Sequence, residues 1–146
     1  MNAIDLNLSL SRLSLVFIFA SMAVYTIAFL IFTWQLAQAS STSKNERSKS
    51  AMSQKWGFGL LIAAAVIHGA GVVMRGIAAG RVPWANMYEF SISGSFVLVL
   101  IFLLSIGVKE IRVIAAFVTG FALLVLGSAT TIFYVDHPPR SGGAGA

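Results

Sequence analysis

The side chains of this sequence that could do chemistry are few, and most lie in one stretch. His68 interrupts an otherwise apolar run, Arg75 follows seven residues later, and then comes Gly80-Arg81-Val82-Pro83-Trp84-Ala85-Asn86-Met87-Tyr88-Glu89-Phe90. An imidazole at membrane depth can serve as a ligand or a proton-handling group. It can equally be structural, donating one hydrogen bond to a neighbouring helix. Seven residues make two helical turns, so His68 and Arg75 share a face about 10 Å apart. Arg75, Arg81 and Glu89 can gather at one rim. There the guanidinium groups would hold an anionic group such as a carboxylate or propionate, or Glu89 would simply neutralise them. The second histidine, His137, lies in Asp136-His137-Pro138-Pro139 and reads as a solvated loop residue, because a ligand needs partners that this segment does not show.

The segment from Gly80 to Phe90 also has a purely structural reading. Pro83 stops a helix and pushes Val82 into an extended conformation. Trp84 and Tyr88 suit a membrane–water interface, with apolar rings and polar edges. Asn86 is a good N-cap with Glu89 three residues later, a capping-box arrangement that also sets a carboxylate at the positive end of the helix dipole.

These residues must be positioned by apolar elements. The 146-residue chain has ten Lys and Arg, five Asp and Glu, and no cysteine; charged residues are 10% of it, against about 25% in soluble domains. With a mean hydropathy of +0.86, neither a water-soluble surface nor a disordered chain can be built. The missing cysteines exclude a disulfide framework, a thiolate zinc site and a cysteine nucleophile. The net charge of +5 is scattered between apolar runs, which fits membrane topology better than a nucleic-acid patch.

Four apolar runs stand out: Leu13 to Leu36, Trp56 to Met74, Phe90 to Val108 and Val113 to Val135. Each is roughly 28 to 36 Å long as a helix, enough to cross a hydrocarbon core, and none alternates as an outer-membrane strand would. The expected fold is an all-α integral membrane protein, a polytopic bundle of four transmembrane helices at 13–38, 56–77, 90–108 and 113–135. Residues 1–12 form a short external N-terminus. Residues 39–55 form a Ser-rich basic loop, 78–89 an interfacial loop, 109–112 a tight turn and 136–146 a disordered tail. Ala37-Gln38-Ala39 has the form of a signal cleavage site, but the preceding run exceeds a signal h-region, so the first helix is expected to remain. The loops 39–55 and 109–112 carry six Lys and Arg (Lys44, Arg47, Lys49, Lys55, Lys109, Arg112), against Arg12, Arg75, Arg81 and Arg140 on the other side. The positive-inside rule then makes the first side cytoplasmic and puts both termini outside. No Walker loop, G-x-S-x-G, H-E-x-x-H or paired intramembrane carboxylates occur, which leaves a small transporter as the weakest reading.

The residues His68, Arg75 and the pattern Gly80, Pro83, Asn86, Tyr88 and Glu89 resemble the N-terminal part of the CcsA/ResC family (CcsB-type) of System II cytochrome c biogenesis. Members of that family carry a similar Arg and Gly-x-x-Pro-x-x-Asn-x-Tyr-Glu ahead of a membrane helix. The likeness covers most of residues 56–139, with Leu13 to Leu36 as the expected first helix. It implies a protein of the bacterial cytoplasmic membrane that handles haem. Such a protein presents haem on the outer face for covalent attachment to apocytochrome c, in the manner of a cytochrome c haem lyase or synthase, beside a ResB-type membrane partner. The family's Trp-rich segment and its haem histidines have no counterpart here: the tryptophans are Trp34, Trp56 and Trp84. The chain is therefore expected to be the amino-terminal half of such a protein, cut short, with weak or no haem affinity. From chemistry alone, His68 is the candidate axial ligand, and Arg75 and Arg81 are the candidate propionate partners. The alternative is a non-catalytic four-helix membrane scaffold that binds a partner membrane subunit. Its basis is the Gly/Ala-rich second helix, with Ala65 and Gly69, and Ala116-x-x-x-Gly120 in the fourth.

Overall fold

A computed structural model describes residues 2–39, 46–105 and 111–133. Four helices follow one another: α1 (Ala3–Ala39), α2 (Glu46–Ala79), α3 (Met87–Leu104) and α4 (Ile111–Ser128), the last running on into a π-helical stretch, Ala129–Phe133. Each helix packs on the next and α4 closes back on α1, giving an up-and-down bundle. All four are long and apolar enough to cross a membrane, and the chain is an all-α, multi-pass membrane bundle. The expected tail 136–146 with His137, residues 109–110 of the expected turn and the loop residues 40–45 lie outside the described residues, and α4 already begins at Ile111, within that turn.

Two helices extend beyond their apolar runs. α1 begins at Ala3, so residues 3–12 belong to the helix rather than to a separate terminus. α2 begins at Glu46, so the basic Ser-rich stretch is helical through much of its length. Hydropathy marks only the part of a helix that meets lipid. Glu46, Arg47, Lys49, Ala51, Met52, Gln54 and Lys55 are good helix formers whatever the serines between them suggest.

The core is a seam read in alternating steps of four and three. It comprises Ser14, Ile18, Ser21, Tyr25, Ala28, Phe32 and Gln35 on α1, and Gly57, Leu61, Ala64, His68 and Gly71 on α2. It continues with Tyr88, Ile92, Ser95, Val99 and Phe102 on α3, with Ala115, Thr119, Ala122 and Leu126 on α4, and with Ala129 at the start of the π-helical stretch; all are buried. That 3.5-residue repeat is the one that keeps a seam facing its partners in left-handed bundles. Most seam positions are small or polar, with Ile18, Phe32, Leu61, Ile92, Val99, Phe102 and Leu126 set among them, while the outward positions hold Leu, Ile, Val and Phe (Val16, Leu30, Ile62, Val66, Phe117 and Leu124 among them). In lipid nothing drives apolar side chains inward, so close packing and hydrogen bonds choose the interface. Trp34 and Trp56 near one end and Trp84 at the other are all well exposed, as side chains at the two interfaces of a bilayer are.

Small residues set the helix separation. A Cβ on Gly71 would lie 2.9 Å from Ile18 Cδ1 and 3.3 Å from Phe17 Cβ, and one on Gly120 would lie 3.0 Å from the Phe29 ring. Ser14 Oγ donates to the Gly71 carbonyl at 2.7 Å, which ties α1 to α2 at the same level. We expect Gly71→Ala to destabilise the bundle by about 1–3 kcal/mol, since Phe17 Cβ moves only with its backbone. Gly59→Ala, with nothing within 4 Å, should be neutral or stabilising by up to about 1 kcal/mol. Unfolding titrations in mixed detergent micelles measure both.

Candidate functional site

α2 stops at Gly80, whose φ of +63° is readily adopted by glycine. Gly80 N–H donates to the Ile77 carbonyl and Arg81 N–H to the Gly76 carbonyl, the paired bonds of a Schellman cap. The last helical residue, Ala79, therefore lies four residues before Pro83, and the glycine, not the proline expected from the sequence, terminates the helix. Pro83 shapes the hairpin instead: Trp84 N–H donates to the Val82 carbonyl at 2.9 Å around it. Ser93 Oγ on α3 donates to the Pro83 carbonyl at 3.1 Å, which pins the hairpin against the helix it leads into.

Asn86 is the N-cap of α3, extended at φ −135° and ψ 166°, and its side chain accepts from Glu89 N–H at 2.8 Å. The reciprocal half of the capping box is altered. The Glu89 carboxylate accepts from Ala85 N–H at 3.3 Å and otherwise turns to α2, where Arg75 Nε donates to it at 3.2 Å. Arg75 Nη1 also donates to Ser11 Oγ on α1 at 2.8 Å. One arginine thus joins three helices at one rim. Glu89 is 1% exposed, Arg75 24% and Arg81 56%, the last reaching Glu89 Oε2 only at 4.0 Å. The grouping of Arg75, Arg81 and Glu89 expected from the sequence is present.

Tyr88 differs from its sequence reading. It is 4% exposed, with the Arg75 guanidinium carbon 5.7 Å from its ring centre, within range of a cation–π contact. It faces the bundle rather than the membrane interface, because position 88 falls on the seam of α3 while Trp84 does not.

His68 lies two turns below Arg75 on α2 and is fully buried. Its Nε2 is 3.0 Å from the Ile92 carbonyl on α3, so Nε2 carries the proton and donates. Nδ1 is then the acceptor for the Tyr25 hydroxyl on α1 at 3.3 Å. The Tyr25 and Phe96 rings meet the imidazole edge-on, with centroids 5.8 and 5.5 Å away. A Cβ on Gly69 would lie 2.9 Å from the Phe96 ring, so the small residues beside His68 accommodate that ring.

This packing does not fit haem. Both nitrogens of His68 are engaged, and the Tyr25 and Phe96 rings lie edge-on against the imidazole. A cleft of about 420 Å³ lies at the Arg75 rim, and no histidine, methionine or cysteine lines it. Of the candidates for haem, Arg75 and Arg81 reach this cleft and His68 does not. The small-residue pairs are used within the chain as well: Ala65 and Ala116 are buried, and Gly69 and Gly120 receive Phe96 and Phe29. Ser11, Tyr25 and Ser93 are the members of the network that sequence reasoning missed. For Ser11 and Tyr25 the signal was the polar stripe Ser11, Ser14, Ser21, Tyr25 along α1.

Compared with family models, with curated proteins and with solved structures, the chain matches none.

Proposed function

We propose that the chain is the amino-terminal membrane part of a protein that assembles c-type cytochromes at the outer face of the bacterial cytoplasmic membrane. It would work beside a ResB-type membrane partner and apocytochrome c. One observation carries this reading. The residues that resemble the CcsA/ResC pattern (Arg75, Gly80, Pro83, Asn86, Tyr88 and Glu89) are the ones that end α2, start α3 and lock α1, α2 and α3 at one rim. A pattern with that mechanical role fixes the shape of the rim on which further parts of an assembly machine would sit.

In this reading the four helices are a frame. Haem is the group the machinery handles, and its ligands come from another segment or subunit, since His68 is committed to Tyr25 and Ile92. The Arg75 rim faces outward and the basic side, with Lys55 and the start of α2, faces the cytoplasm. Deleting the encoding gene in its host tests the proposal. We expect covalently bound haem to vanish from c-type cytochromes while b-type haem proteins persist, with restoration by the wild-type gene. Unchanged c-type cytochromes in the deletion strain would contradict it.

A further inference from the structure

The outward face of α2 carries a groove near the start of its span, at the end of the bundle away from the Arg75 rim. Its volume is about 510 Å³, and Met52, Lys55, Trp56, Gly59 and Leu60 line it. Gly59 makes the hollow, since a Cβ there would meet nothing within 4 Å. Lys55 and Trp56 lie four and three residues earlier and flank it on its two sides. Both are exposed. Among the described residues Arg75 and Arg81 share Glu89, and no carboxylate pairs with Lys55.

The order of these groups along the helix is what gives the groove a direction. The apolar span of α2 begins at Met52. Helical side chains tilt toward the N-terminus, which at this end is the way out of the bilayer. The Lys55 ammonium therefore reaches the headgroup level, beside Met52. Gly59 and Leu60 lie the other way, about 6 and 7.5 Å farther along the axis toward the midplane. Trp56 stands between, with an indole N–H suited to the ester region of a bilayer. From the interface inward the groove presents a cation, a hydrogen-bond donor and an apolar hollow.

We propose that this groove holds one anionic phospholipid, its phosphodiester on Lys55, its glycerol esters beside Trp56 and its first acyl segment in the hollow at Gly59 and Leu60. The assignment is independent of cytochrome assembly and rests only on α2 crossing the bilayer. Charge selects the occupant. A zwitterionic lipid brings its own ammonium group to Lys55, and free phosphate leaves the hollow uncovered. A second copy laid parallel on this face would set two Lys55 ammonium groups against each other.

The test uses the full chain in nanodiscs and in detergent, with Trp34→Phe and Trp84→Phe leaving Trp56 as the sole tryptophan. Phosphatidylglycerol and phosphatidylcholine with brominated acyl chains are the probes. Quenching of Trp56 reads contact, and native mass spectrometry reads retention. We expect phosphatidylglycerol to be preferred about fivefold, the equivalent of one interfacial cation, with one molecule retained per chain. Lys55→Gln should erase the preference. Gly59→Leu, which fills the hollow, should lose the retained lipid, while Arg12→Gln, an exposed charge on α1 toward the other rim, should change neither readout. Positions 55 and 59 are exposed, so unfolding titrations should find the bundle intact in both variants. Equal quenching by the two lipids, a preference that survives Lys55→Gln, or lipid retained by Gly59→Leu would overturn the proposal. Displacement of the lipid by millimolar inorganic phosphate would give Lys55 to a free anion, and a dimer dissolved by Gly59→Leu would give the groove to a second copy; either result overturns it as well.

Discussion

Replacing Arg75 by methionine is expected to destabilise the bundle by about 3–5 kcal/mol, the range found when one partner of a buried ion pair is removed. The size comes from the group left behind. Glu89 is 1% exposed, and without Arg75 its carboxylate retains the Ala85 N–H at 3.3 Å and Arg81 at 4.0 Å. Ser11 loses its donor as well. The reverse substitution, Glu89→Gln, should do less, about 1–2 kcal/mol. The amide oxygen can still accept from Ala85 or Arg75, and Arg75 is 24% exposed and can turn its head toward water. Removing both charges with Arg75→Met and Glu89→Leu should recover part of the loss, since a buried pair replaced by apolar groups is often near neutral. Unfolding titrations in mixed micelles read all three. If Arg75→Met were as mild as Glu89→Gln, the rim would not be held by a buried pair.

The second large effect is expected at His68. Truncation to alanine empties a fully buried position among Tyr25, Ile92 and Phe96 and strands the Tyr25 hydroxyl, for a loss of about 2–4 kcal/mol. Packing and hydrogen bonding can be separated. Tyr25→Phe removes only the 3.3 Å hydrogen bond, and interhelical hydrogen bonds in membranes average about 0.6 kcal/mol, so its effect should be well under half that of His68→Ala. The purified chain mixed with haem should show no histidine-ligated Soret band. A band abolished by His68→Ala would mean that the imidazole leaves Tyr25 and Ile92 to bind iron.

Much of this rim was legible in the sequence because its signals are local. Asn86 and Glu89 are three residues apart, as a cap requires, and the charges of Arg75, Arg81 and Glu89 have few other places to go in an apolar chain. The number of helices was legible for the same reason, since lipid demands long uncharged runs. Their true lengths were not. The first turns of α1 and α2 are held by backbone bonds and helix propensity, to which a hydropathy reading is blind. Tyr88 was misplaced because aromatic type was weighed above register: steps of four and three back from Phe102 through Val99, Ser95 and Ile92 lead to the buried face. Gly80 was overshadowed by Pro83, though a glycine in the left-handed region is the commoner way to end a helix. The glycines and alanines of α2 and α4 read as a surface for a partner. Which helix they meet depends on how the bundle closes, and that is a long-range fact.

Labelling of single cysteines tests the four-pass bundle most directly, and a chain without native cysteine makes each label unambiguous. Trp84→Cys samples the hairpin and Lys55→Cys the opposite rim; both positions are exposed. With a membrane-impermeant maleimide we expect Trp84→Cys to react in intact cells and Lys55→Cys only after the membrane is opened. Reaction of both positions from the same side, in intact cells or in inverted vesicles, would contradict a helix α2 that crosses the bilayer, and with it the bundle and the rim that Arg75 and Glu89 hold together.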